Sequence, residues 1–125
     1  MSNEKKVVIH KAGGWEALQI ESFSCPLPKV GEVKVRIQAF AVNFADIAVR
    51  LGLYESAKKY VGWPITPGFD FAGVIESLPD HVDGEDEQWH IGDRVFGVSF
   101  FGAYSTHITV PKYQIFKVPP TWEIT

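Results

Sequence analysis

Alternation with a period of two dominates the chain. Val33, Val35, Ile37, Ala39 and Ala41 are apolar, and Glu32, Lys34, Arg36 and Gln38 between them are polar. That pattern predicts a half-buried strand with one face on a core and the other toward water. Lys6 to His10 and Leu18 to Phe23 read as shorter strands, with Gly13-Gly14 marking a hairpin turn between them. Pro26, Pro28 and Gly31 make a rigid connector. Phe69 to Leu78 reads as a strand in which Gly73 marks a bulge or a close backbone approach. Arg94 to Val98, Ala103 to Val110 and Tyr113 to Val118 complete the set. Short strands punctuated by Gly and Pro predict a mainly β domain, either a small barrel or a sandwich.

One segment has helical spacing instead. In Asn43 to Gly52, the residues Phe44, Ile47, Ala48 and Leu51 fall on one face. Asn43 reads as the N-cap, Asp46 sits in the first turn near the positive dipole end, and Gly52 reads as the stop. Leu53 to Pro67 reads as irregular. Tyr60 and Trp63 within it fit a ligand-facing loop and a barrel lid equally well. Pro119-Pro120 reads as a connector, with Thr121 capping the first turn of a helix that Thr125 cuts short. That ending predicts that the chain comes from something longer.

Composition narrows the class. The chain has 125 residues, 46% hydrophobic and 22% charged, which suits one globular domain with a single core. No apolar run approaches the roughly 20 residues of a membrane span, and Met1 to Lys6 lacks an apolar leader. A single cysteine, Cys25, excludes an internal disulfide and fits a reducing, cytoplasmic compartment. The net charge of −3 argues against a nucleic-acid surface. Five of the acids, Asp80, Asp83, Glu85, Asp86 and Glu87, lie in Pro79 to His90, a stretch without Lys or Arg. It reads as a solvated loop, because the acid spacing of a calcium-binding loop is missing.

Chemistry is harder to find. No glycine-rich dinucleotide fingerprint, Walker-type loop or nucleophilic serine motif occurs. None of His10, His81, His90 and His107 stands at metal-ligand spacing from Cys25 or an acid, so they read as exposed or strand-face histidines. Residue patterns alone yield a β-rich domain with a short helix and an aromatic loop, without a reaction.

The order of segments resembles a known family. Ala12-Gly13-Gly14-Trp15, Gly31 to Ile37, Ala41-Val42-Asn43-Phe44-Ala45-Asp46, Arg50-x-Gly52-Leu53-Tyr54, Pro67 to Ile75 and Gly92-Asp93-Arg94-Val95 run in the order found in medium-chain dehydrogenases/reductases. Of these, Ala41 to Asp46 and Arg50-x-Gly52-Leu53-Tyr54 are close to the quinone oxidoreductase branch, including its vesicle amine transport-like members. The resemblance implies a GroES-like, partly open β-barrel over residues 1–118, with 119–125 leading toward a Rossmann domain that these residues do not include. It implies hydride transfer from NADPH, bound mainly by that missing domain, to a small-molecule quinone or enone. A homodimer in the full-length protein is also implied, with no nucleic-acid or membrane partner.

The zinc-dependent members carry a cysteine where this chain has Asn43 and a histidine where it has Phe69, so the resemblance implies no metal. Asn43 and Tyr54 then stand as catalytic candidates, the amide beside the nicotinamide and the phenol toward a developing oxyanion or the coenzyme. With Phe44 they also form the expected coenzyme contacts. Asn43 reads equally as a helix cap and Tyr54 as a packing aromatic; the cap uses the amide oxygen and leaves the NH2 free. Phe69 and Tyr104 are the expected substrate-pocket walls, flat surfaces suited to a planar quinone. Ala48 replaces a tyrosine of some quinone reductases, which implies a roomier pocket. A rival reading is a non-enzymatic GroES-like protein-interaction module, with the acidic stretch and the aromatic loop as its surface.

Overall fold

The computed structural model describes residues 3–80 and 88–125. The acidic residues of the expected solvated loop, apart from Asp80, lie outside the described residues. Among the described residues seven strands and two α-helices form: β1 (Lys5–Val8), β2 (Gln19–Ser22), β3 (Glu32–Phe40), α1 (Phe44–Arg50), α2 (Glu55–Tyr60), β4 (Asp70–Ser77), β5 (Arg94–Val98), β6 (His107–Pro111) and β7 (Ile115–Lys117). Five strands make one antiparallel sheet in the order β6-β3-β4-β5-β7, and β1 pairs with β2 separately. The sheet curls without its edge strands pairing, so the barrel is half open. Hydrogen bonds from Val7 N–H to the Tyr104 carbonyl (2.9 Å) and between Ile9 and Ile65 (2.9 and 3.0 Å) dock the hairpin onto it. No helix among the described residues is long and apolar enough to cross a membrane.

Two apolar clusters hold these layers. Val33, Val35, Phe71, Ile75 and Val95 center the first, inside the curl. Ile9, Val49, Ala57, Ile65 and Phe101 form the second, between the helices and the hairpin. β3, β4 and β5 fall within a residue of the strands that the sequence predicts. Ala103 to Thr106 does not continue β6 backward as expected. Tyr104 N–H instead bonds the Pro67 carbonyl at 2.9 Å, carrying the chain across to the hairpin layer. Leu53 to Pro67 is less irregular than its sequence suggests, because Glu55–Tyr60 forms α2. Residues 121–125 are not helical. Four residues past a cap cannot offset the entropy of a helical nucleus.

The helical face also turned out differently. Phe44, Ile47 and Leu51 are 84%, 39% and 44% exposed, while Val49 and Asp46 are buried. A seven-residue helix has too little of its own stability to choose its orientation. Val49 is drawn into the second cluster, and Asp46 is held inward by two hydrogen bonds described below.

Lys34, on the nominally solvent side of β3, is buried at 8% exposure. Its ammonium bonds Glu4 at 2.5 Å and lies 3.6 Å from Glu76. His107 Nε2 sits 3.2 Å from the same Glu76 carboxylate, so strand pairing gives this histidine the acidic neighbors that its sequence spacing denies it. Two carboxylates and an imidazole converge within 4.8 Å, and the Lys34 ammonium supplies the cation that they share.

Two expectations follow. A Cβ on Gly73 would lie 2.0 Å from the Arg36 carbonyl oxygen, against backbone that has no freedom to move aside. Gly73→Ala should therefore destabilize by about 3 kcal/mol or prevent folding, read from denaturant unfolding. The Lys34 bond depresses the Glu4 carboxyl below its ordinary 4.5, and the Glu4 bond raises the Lys34 ammonium above its ordinary 10.5. The Glu4 contribution is complete above pH 4.5 and is lost as pH falls through the lowered value; the Lys34 contribution is complete below pH 10.5 and is lost as pH rises through the raised one. Lys34→Ala should cost about 1–3 kcal/mol at neutral pH by taking the cation from Glu4, the less exposed of the two carboxylates. It should also flatten the stability profile at both limits, measured by urea unfolding across pH.

Candidate functional site

The β3–β4 register builds the site. Phe40 pairs with Phe71, so the end of β3 and the start of β4 lie side by side. Asn43 follows β3 by three residues and Asp70 opens β4, which places the two polar side chains together. Asn43 Nδ2 donates to Asp70 Oδ1 at 3.3 Å. The NH2 expected to be free is thus partly used.

Asn43 is also the N-cap of α1, as expected. Its backbone N–H donates to Asp46 Oδ2 at 2.9 Å. The Tyr104 hydroxyl donates to the same oxygen, also at 2.9 Å. Asp46 Oδ1 has no hydrogen-bond partner among the described residues. The Tyr104 ring packs on Phe40 with centroids 4.4 Å apart. Burial raises the Tyr104 phenol well above its ordinary value, and the bond to Asp46 and the charges of Asp46 and Asp70 raise it further. At neutral pH it is therefore a fixed donor to Asp46 that does not release its proton.

Tyr54, Phe69 and Phe101 form a second, aromatic group. The Tyr54 ring stands edge-on to Phe69 at 5.8 Å and to Phe101 at 6.1 Å, and Phe69 lies 5.1 Å from Phe101. Beside Tyr54, walled by Val49, Gly52 and Trp63, is a cavity of about 20 Å³. That is room for one water and not for a ring-sized ligand. Asn43 and Tyr54 are not in direct contact. They are linked through consecutive residues, since Phe69 meets Tyr54 and Asp70 meets Asn43. Phe44 points to solvent at 84% exposure, without a ring partner among the described residues.

An open groove of about 460 Å³ runs past the site, lined by Phe40, Ala41, Asp70, Phe96 and Val98, with Ile124 across it. Asp70 is its charged member. It is large enough for a planar bicyclic ligand and predominantly apolar. Sequence reasoning singled out Asn43 and Tyr104 but missed that carboxylates hold both. The spacing Asn43-x-x-Asp46 carries the capping-box signal that could have shown one of these carboxylates. Nothing local marks Asp70, whose role depends on strand register.

Removing the Tyr104 hydroxyl would take one of the two donors from a buried carboxylate that already has an unbonded oxygen. Tyr104→Phe should destabilize the domain by about 1–3 kcal/mol, read as a lowered urea midpoint at unchanged slope. An unchanged midpoint would mean that water replaces the phenol at no cost.

Comparison with known proteins matches this geometry to one family. The alcohol dehydrogenase GroES-like domain profile matches residues 29–120. The synaptic vesicle membrane protein VAT-1 homolog-like of Mus musculus is 33% identical over 115 residues, covering 92% of this chain and 26% of that protein. The crystal structure of JamJ enoyl reductase superposes with a TM-score of 0.85 at 32% identity, covering 98% of this chain and 37% of the other. Escherichia coli quinone oxidoreductase complexed with NADPH superposes at 0.82 with 28% identity, covering 96% of this chain and 35% of that one. The chain thus spans about a quarter to two fifths of the length of the proteins it matches. It belongs to the alcohol dehydrogenase GroES-like domain family, within the medium-chain dehydrogenases/reductases.

Proposed function

We propose that this chain is the substrate-side domain of a zinc-independent, NADPH-dependent oxidoreductase acting on quinones or activated enones. The observation that carries the proposal is Asn43, an amide held by Asp70, which itself lines a mostly apolar groove. The names of two structural relatives, a quinone oxidoreductase complexed with NADPH and an enoyl reductase, support the reaction class.

The donor set does not fit a catalytic zinc. Asn43 is a weak neutral ligand, and the Phe69 ring, packed on Tyr54 and Phe101, has no lone pair to offer. The residues do fit one wall of a coenzyme and substrate cleft. NADPH, when bound, supplies the hydride that reduces the acceptor. The tasks left to this chain are binding and orientation. Phe40, Phe96 and Val98 give flat apolar surface to a planar ring and exclude water from it. Asn43 keeps one Nδ2 hydrogen for a ligand oxygen. The Tyr54 hydroxyl can donate to an oxygen that gains charge during reduction. Phe44, exposed on α1, offers a contact surface toward the coenzyme, and Tyr104 packs on Phe40, which lines the groove. In this reading the full-length protein is a cytoplasmic homodimer. The exposed α1 face of Phe44, Ile47 and Leu51 also suits the second reading, a non-enzymatic interaction module.

The full-length protein should oxidize NADPH in the presence of p-benzoquinone and keep that activity after treatment with a chelator. Asn43→Ala and Tyr54→Phe should each lower kcat, by up to about 10²–10³ for a lost preorganized donor. Absence of both NADPH binding and turnover in the folded full-length protein would favor the interaction module. Loss of activity on chelation, restored by zinc, would overturn the metal-free chemistry.

A further inference from the structure

We propose that Asp70 is a positioning residue that sets which way the Asn43 amide faces, and so which of its atoms a ligand meets. The inference rests on the reading of Asn43 as the ligand-facing amide.

The terminal torsion of an asparagine is soft and nearly two-fold, so its oxygen and nitrogen exchange places at little cost unless a partner distinguishes them. Packing alone cannot do so, because the two atoms are almost the same size. An ionized carboxylate can, since it only accepts. Asp70 Oδ1, 3.3 Å from Asn43 Nδ2, holds the NH2 on its own side and repels the amide oxygen. The capping box turns the amide oxygen toward the Asp46 backbone N–H, so one Nδ2 hydrogen is what the amide keeps for a ligand.

Asp70 has no other evident occupation. It is half-buried at the start of β4, and no lysine, arginine or histidine forms an ion pair with it among the described residues. A partly desolvated carboxylate without a counter-ion is costly to keep for stability alone. Asp46 completes a division of labor. It accepts the backbone N–H of Asn43, while Asp70 accepts from the side chain. The residue is therefore held at its backbone by one carboxylate and at its amide by the other. Asp46 also takes the Tyr104 hydroxyl, so the backbone anchor is itself braced, whereas Asp70 is committed to the amide.

The test is a double-mutant cycle in the full-length protein. Asp70→Asn keeps size and shape but can both donate and accept, which frees the amide of Asn43 to turn. Asp70→Asn, Asn43→Ala and the double variant are compared with the parent in three measurements: NADPH affinity by fluorescence titration, kcat and KM with p-benzoquinone, and melting temperature. Asp70→Asn should weaken NADPH binding or lower kcat by up to about 10²-fold, the scale of a misplaced positioning group, with little change in melting temperature. In the Asn43→Ala background the same substitution should have almost no further effect, because the group through which it acts is gone. Additive effects in the double variant would overturn the positioning role while leaving the reading of Asn43 intact. An Asn43→Ala variant that binds and turns over like the parent would remove that reading and this proposal together. A large fall in melting temperature for Asp70→Asn, with binding unchanged, would assign Asp70 to stability instead.

Discussion

The backbone of β4 approaches that of β3 at Gly73 more closely than any side chain would permit, with the Arg36 carbonyl where a Cβ would be. These are two neighboring inner strands of the larger sheet, and their register shifts between Ile37 and Ala39, next to this approach. Downstream of the shift, Ala39 faces Ala72 and Phe40 faces Phe71. Asn43 and Asp70 meet because of that alignment. A slip of one residue would send alternate side chains of β4 to the other face and separate them. The geometry of the site is therefore set several residues away, in a place that carries no functional group.

Features that depend on local pattern could be read from the sequence. Alternation located β3, Gly73 announced the close approach in β4, and Asn43 was recognizable as a cap. The ordered landmarks carried the GroES-like fold. What could not be read depends on distant partners. Lys34 looks like an ordinary solvent-facing residue until Glu4 covers it from 30 positions away. The apolar spacing of α1 pointed to a face that the fold leaves exposed, because a short helix takes its orientation from Val49 and Asp46 and not from its own periodicity. Helix α2 escaped notice because only Ala57 in it is buried, which leaves no amphipathic stripe. At the site, Asn43 and Tyr104 were visible as residue types, but Asp70 gains its meaning only from strand pairing.

The two carboxylates near Asn43 show how little polar material the site uses. Asp46 is buried and shared by a backbone N–H and a phenol; Asp70 is half-buried and bound to an amide. The groove beside them is otherwise mostly apolar. Such a surface gives little affinity to a highly charged ligand and more to a flat one with a single polar edge. That distribution suits a domain that contributes one wall of a cleft.

The ionic cluster on the other face bears on the order in which the fold can be completed. Lys5 bonds Thr106, 101 residues further along the chain, and the carboxylate of Glu4 shares its cation with Glu76, beside His107. β1 therefore has no seat until a residue 101 positions further along the chain is in place. Docking of β1 thus closes the domain instead of starting it, because contacts this distant in sequence carry the largest loop-closure cost.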